Sequence, residues 1–257
     1  MVSKVSKRIY LALAFIFLYA PIIVLIVFSF NDSRLRGNWA GFSFRWYIEL
    51  FNDRNILMAF YNTIVVAVVS TVISTIIGTF AAIGIHSLRG AKKSVMLNLN
   101  YLPVLNPDIV TAVSLMALFR FLSVKFGLGT LIISHIVFSI PYVVLSILPK
   151  LRQLDPNLLD AAMDLGATPF IAIRKVIIPQ IIPGIVTGAL IAFTMSIDDF
   201  AISFFNTGQG VSNLSITIYS MTKRGINPSI NALSTIMFVV LIGLLLIINK
   251  RSKLIDE

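Results

Sequence analysis

Residues 155–179 read DPNLLDAAMDLGATPFIAIRKVIIP, a polar and small-residue interruption in a chain that is otherwise mostly hydrophobic. Asp155-Pro156 predicts a helix start, because an Asp caps free backbone N–H groups and a Pro at the first helical position gives up no needed donor. Leu158, Ala161, Ala162 and Leu165 recur at i, i+3, i+4 and i+7, which predicts one apolar face. Gly166 suits the left-handed residue that closes such a helix. Thr168-Pro169 repeats the start signal and predicts a second short helix running toward Pro179. The stretch is thus a helix–Gly–helix elbow with Ala161 and Ala162 on its exposed ridge, a shape suited to close docking.

The surrounding chain sets where the elbow lies. Of 257 residues, 57% are hydrophobic and 12% charged, against about 25% charged in a soluble domain. The apolar residues fall in runs of membrane-spanning length. The fold class is therefore all-α, a polytopic membrane protein in one membrane domain over 1–257. Its six transmembrane helices are read at about 9–30, 62–85, 95–119, 130–148, 181–204 and 231–248, with the elbow in the loop 149–180. Residues 9–30 are longer than the apolar core of a cleaved signal peptide and read as a retained helix. The net charge of +10 collects in the loops, where topology accounts for it without nucleic acid. Absence of cysteine excludes disulfides and thiol chemistry.

Six spans place both termini on one side of the bilayer. Thirteen of the 21 Lys and Arg flank the side of the termini and the elbow, and eight flank the other. The positive-inside rule makes the first side cytoplasmic. The aromatic-rich segment 31–61 reads as an interfacial anchor, with Ser43 capping a short helix whose Trp46, Tyr47, Leu50 and Phe51 share a face. Ala67, Thr71, Ser74, Gly78 and Ala82 form a small-residue stripe for close helix packing in lipid. Gly184, Thr187, Gly188, Ile191, Thr194 and Asp198 lie along one face of the fifth span. The third span carries Asn98, Asn100, Pro103, Asn106, Pro107 and Asp108, and its prolines predict a break that faces protein or water. His135 reads as a hydrogen-bonded packing residue.

No catalytic motif or metal-ligand spacing is present, so no enzyme activity is expected. The unusual groups are the intramembrane acids Asp108, Asp198 and Asp199, which no Lys or Arg accompanies in the same spans. A carboxylate at mid-bilayer costs about 2.5–3.5 kcal/mol and normally faces the bundle interior or water. On straight helices Asp198 lies ~26 Å and Asp108 ~20 Å beyond the cytoplasmic ends of their spans, which points to an acidic, cation-accepting site in the outer half of a pathway. The structural alternatives are that Asp108 caps the helix resuming after Pro107 and that Asp199 reaches the outer interface.

DAAMDLGATPFIAIRKVIIP resembles the EAA loop of ABC-importer permeases. Asp160-Ala161-Ala162, Gly166 and Ile177-Ile178-Pro179 match it, with Asp160 in place of the family's Glu. The chain is similar over nearly its whole length to the spermidine/putrescine importer permeases of PotC type. Ser29-Phe30-Asn31, Trp46-Tyr47, Pro107–Val110, Ser196–Asp199 and Asn231-Ala232-Leu233 carry that likeness beyond the elbow. The resemblance implies a type I ABC importer permease fold in the bacterial inner membrane. It implies a heterodimer with a homologous PotB-type permease, a PotA-type ATPase dimer and an extracytoplasmic PotD-type binding protein. ATP and Mg would be bound by the ATPase, and this chain would bind no cofactor. The elbow would be the coupling helix, with Asp160, Ala161, Ala162, Asp164, Leu165 and Gly166 meeting the ATPase, and Asp108, Asp198 and Asp199 would line the substrate path. The alternatives are a related permease for thiamine or ferric iron, and an ion-coupled secondary transporter, which should show matching inverted repeats.

Overall fold

A computed structural model describes residues 4–34, 38–224 and 228–253. Side chains of the basic flank residues Lys4, Arg224, Lys250, Arg251 and Lys253 lie outside the described ones. The described chain is helical, in the order α1 (Lys4–Ser29), α2 (Arg45–Asn52), α3 (Arg54–Ser87), α4 (Gly90–Leu105), α5 (Asp108–Phe121), α6 (Leu128–Gln153), α7 (Leu158–Asp164) and α8 (Pro169–Ala172). A π turn (Ile173–Ile177) leads into α9 (Ile178–Asp198), followed by α10 (Ala201–Asn206), α11 (Leu214–Arg224) and α12 (Ser229–Lys253). Among the described residues four helices are long and apolar enough to cross a membrane, or five when the bent pair α4–α5 counts as one span. The described apolar part of α12 covers Ser229–Val240.

The chain divides into two compact units. One comprises Met1–Leu57 and Thr217–Lys253. In it α12 packs on α1 and α2. The segment after α1 is held by Asn31: its Oδ1 accepts from the Ala40 N–H at 2.9 Å, and its carbonyl accepts from Trp46 Nε1 at 2.6 Å. Ser43 does not cap α2 as expected: Phe44 holds the cap position, and Ser43 Oγ accepts from the Arg45 N–H at 3.1 Å in the turn that precedes the helix. Only Trp46 and Leu50 of the expected aromatic face are buried; Phe51 is exposed.

The other unit, Met58–Ile216, is organised around α6. Its most extensive partner is α9, and α4, α5 and α10 also pack on it. Val143, Val144, Ile147, Leu148 and Leu151 of α6 form one apolar core with Ala82, Ile177, Ile181 and Ala192. Glycines let the axes approach. A Cβ on Gly188 would stand 3.1 Å from Val143 Cα, and one on Gly78 would stand 2.7 Å from Val143 Cγ1. Asn100 donates to the Pro141 carbonyl at 3.3 Å, tying α4 to α6, the kind of polar tie that joins helices in lipid.

Three expectations are corrected. The third span breaks as its prolines predicted, but at Asn106-Pro107 alone: α4 passes through Pro103 unbroken, then the chain bends 104° between Leu105 and Asp108. Asn106-Pro107 takes extended backbone that Pro imposes on its predecessor. The straight-helix depth of Asp108 therefore does not hold. The second elbow helix does not stop at Pro179, because the π turn carries it into α9 as one apolar run from Pro169 to Asp198. The Ile178 N–H bonds the Ile173 carbonyl five residues back, and this wider turn receives a proline that lacks a donor of its own. Finally, α9 ends at Asp198, and α10 follows after the break at Asp199-Phe200.

Candidate functional site

The sequence-predicted residues fall into two groups at opposite ends of α6. At its C-terminal end the elbow begins one turn late. Asp155 Oδ1 accepts from the Asn157 N–H at 2.8 Å and its carbonyl accepts from Leu158, so Asp155 caps a turn that precedes α7. Gly166 has φ +88, and two reversed hydrogen bonds close α7. The Gly166 N–H donates to Met163 at 2.8 Å and the Ala167 N–H to Ala162 at 3.2 Å, the pattern that uses a glycine's left-handed conformation to end a helix. Thr168 Oγ1 accepts from the Ile171 N–H at 3.4 Å and Pro169 opens α8.

Leu158 and Leu159 pack on the α6–α9 core and seat the elbow. Leu165 does not join them as the i+7 spacing predicted. It follows the last turn of a seven-residue helix and is 90% exposed. Ala161 is exposed and Ala162 half-buried, while Asp160, Asp164 and Gly166 are exposed. Phe170, which the spacing did not single out, is 63% exposed. The elbow thus presents acids and apolar side chains together, held on a rigid base, and exposed apolar groups of this kind mark an interaction surface.

At the other end, the bend before α5 and the break after α9 each set one acid in the open. Asp108 is the first residue of α5 and Asp198 the last of α9. Both are exposed, and their charges lie within interaction range of each other. Neither has an ion-pair partner among the described residues. Asp108 does not cap α5 through its side chain. Thr187, Ile191 and Asp198 form an exposed stripe of α9, whereas Gly184 and Gly188 face α6. The single face expected for these residues is therefore two.

Asp199 points the other way and is buried. Its Oδ1 accepts from the Ile202 N–H at 3.0 Å and its Oδ2 from the Ser203 N–H at 2.7 Å, satisfying the free donors that start α10. His135 of α6 bridges the break. Its Nδ1 pairs with Ser196 Oγ of α9 at 2.8 Å, and its Nε2 pairs with Ser203 Oγ of α10 at 3.2 Å. Asp199 Oδ2 lies 3.6 Å from the same Nε2. Ser70 of α3 meets Ser196 at 3.4 Å, and Asn213 Nδ2 donates to Ser203 at 2.6 Å. His135 is thus the packing histidine expected, but one that staples two helices across a gap. Ser196 and Ser203 were not read as functional; with Asp199 they stand at i, i+3 and i+7, a polar face that the spacing could have disclosed.

The family model for the binding-protein-dependent transport system inner membrane component matches residues 74–253. The chain is 38% identical over 240 residues to the spermidine/putrescine transport system permease protein PotC of Escherichia coli strain K12, covering 93% of this chain and 91% of that one. It is 37% identical over 236 residues to the putrescine transport system permease protein PotI of the same strain, covering 88% and 83%. Its fold is similar to that of a bacterial ABC transporter importing the acidic polysaccharide alginate, with TM-score 0.71, 18% identity and coverage of 98% of both chains. It is also similar, with TM-score 0.70, 19% identity and coverage of 98% and 96%, to the bacterial alginate transporter in complex with its alginate pentasaccharide-bound periplasmic protein.

Proposed function

Because the chain belongs to the family of binding-protein-dependent transport system inner membrane components, we infer that it is the PotC-type permease subunit of an ATP-driven polyamine importer. It is a transport subunit of an ABC importer and not an enzyme. In this reading it forms the path with a homologous permease, receives spermidine or putrescine from a binding protein outside, and is driven by an ATPase dimer seated on the cytoplasmic elbow. Both termini are then cytoplasmic.

The geometry supports a direct route for the coupling. α6 carries the elbow's seat at Leu151 and the His135 staple 16 residues earlier, about 24 Å along one helix. α9 is locked to it through Gly184 and Gly188. A close-packed pair of this kind transmits displacement rather than absorbing it. Movement of the elbow against Asp160, Asp164, Leu165 and Phe170 therefore reaches the break that displays Asp198. Alternating access follows when ATP closes the ATPase and draws the elbows together.

One observation carries the choice of cargo. Asp108 and Asp198, from two different helix interruptions, stand exposed within range of each other and without an ion-pair partner among the described residues. Two carboxylates on a transport path suit a molecule with two or three ammonium groups. Asp199, whose oxygens are committed to α10, serves the path by holding the turn beneath Asp198. The test is uptake of labelled spermidine and putrescine by the assembled transporter. Asp108→Asn or Asp198→Asn removes one charged contact worth about 1.5–3 kcal/mol, so uptake at limiting substrate falls by about 10- to 150-fold. Unchanged uptake in both variants refutes the polyamine path. Stimulation by thiamine or ferric iron instead would transfer the chain to another cargo.

A further inference from the structure

The turn joining α5 to α6 and the loop after α10 wall a cleft of about 560 Å³ whose lining includes none of Asp108, Asp198 and Asp199. Its lining includes Arg120, Ser123, Lys125, Phe126, Thr207 and Gln209. Two of these residues are cations and none is an acid, and neither cation has an ion pair among the described residues. The Arg120 guanidinium lies over the Phe126 ring, 5.8 Å from its centroid. That contact holds the charge in place without neutralising it.

The cleft is a built structure. Thr130 Oγ1 donates to the Asn206 carbonyl at 2.9 Å and also accepts from the Gly127 N–H at 2.9 Å. Gly208 lies so close to the Phe126 carbonyl that a Cβ would overlap it. Ser123 has φ +56. It ends α5 with the same reversed bonds that Gly166 uses at the elbow: the Ser123 N–H donates to Arg120 at 3.0 Å and the Val124 N–H to Phe119 at 2.9 Å. A side chain in that conformation costs about 1–2 kcal/mol, which a glycine would avoid. A residue held against such a cost points to a local use, and what serine adds here is a hydroxyl on the wall of a cationic cleft.

Position narrows the occupant. α6 runs from this turn to the elbow over 26 residues, about 39 Å and so about one membrane thickness. With the elbow on the ATPase side, as proposed above, the cleft opens where cargo is delivered. Polyamine itself is repelled by Arg120 and Lys125. We propose that the cleft receives an acidic side chain of the extracytoplasmic binding protein, its carboxylate held by Arg120 and Lys125 with the Ser123 hydroxyl as a further donor. The same charges disfavour free polyamine at this end of α5, so cargo arrives with the protein that covers them.

The proposal rests on the polyamine reading, and one titration separates the two. The complete transporter in liposomes is titrated with spermidine-loaded binding protein while ATP hydrolysis is measured. The R120A/K125A double variant should need about tenfold more binding protein for half-stimulation, with an unchanged maximal rate and a shallower dependence on salt. Ser123→Gly should shift the same midpoint in the same direction although glycine suits the backbone there, so misfolding cannot imitate the effect. A wild type that responds while the double variant matches it within twofold overturns the docking site alone. A wild type indifferent to loaded binding protein overturns the polyamine reading and the docking site with it. A defect that persists at saturating binding protein and follows the phosphatidylglycerol content of the liposomes assigns the cleft to lipid and also overturns the proposal.

Discussion

Replacing His135 by alanine removes the staple across the α9–α10 break, and the structure sets the size of the effect. His135 is fully buried, and its two ring nitrogens pair with Ser196 at 2.8 Å and Ser203 at 3.2 Å. Both hydroxyls keep another partner, Ser70 and Asn213 respectively, so each lost bond costs about 1 kcal/mol rather than a full desolvation penalty. The emptied volume adds about 2 kcal/mol, the low end for a large-to-small change, because a space lined by hydroxyls can admit water. The sum is about 4 kcal/mol. If the staple acts by holding Asp198 in place, part of this loss depends on Asp198. The assay is initial spermidine uptake by liposomes containing wild type, His135→Ala, Asp198→Asn and the double variant. The His135→Ala defect should shrink at least about fivefold in the Asp198→Asn background, a coupling of about 1 kcal/mol. Losses that simply multiply, or full uptake by His135→Ala, refute a positioning role.

The elbow and the helix contacts give two further predictions. Asp160→Lys reverses the charge of an exposed elbow residue that makes no contact with the core, so the protein should insert normally while ATP-driven uptake is abolished; retained uptake would mean that the elbow is not the coupling element. Gly78→Ala forces a Cβ to within 2.7 Å of Val143 and should lower stability in detergent by about 1–3 kcal/mol. Gly84→Ala on the same helix meets nothing within 4 Å and should be neutral or stabilising by up to about 1 kcal/mol. Equal effects in a thermal-denaturation comparison would contradict the α3–α6 packing.

What the sequence disclosed was governed by local chemistry. Gly166, Thr168-Pro169 and Asp155 act through their own backbone neighbours, so their roles at the elbow could be read before any fold was known. The membrane class followed equally from apolar runs and sparse charge. The acid end was harder because tertiary contacts decide it. Nothing in Ile197–Ala201 is Pro or Gly, yet the helix breaks there, since the Asp199 carboxylate accepts from the Ile202 and Ser203 N–H groups that a continuous helix would have bonded to backbone carbonyls, while His135 pins the Ser196 and Ser203 hydroxyls on either side. For the same reason two adjacent aspartates could not be separated by type alone: one is displayed and the other is spent on α10. Leu165 escaped its predicted face because periodicity assumes a helix that continues, and α7 stops one residue short of it. The depth of Asp108 failed on a 104° bend that Pro107 announced in kind but not in angle.

The π turn at Ile173–Ile177 has a consequence for how the two ends are combined. It holds one residue more than an α turn would need, and excising that residue would restore α-helical register. Everything beyond would then keep nearly its present angle and height, because a π turn spreads five residues over about the rotation and rise that four take in an α-helix. The turn is therefore a slack link in a shaft: it takes up one residue without altering the angle at which the Thr187–Asp198 stripe stands once the elbow is seated. A chain so built can gain or lose a residue between its drive coupling and its cargo-facing surface without resetting the azimuth of either.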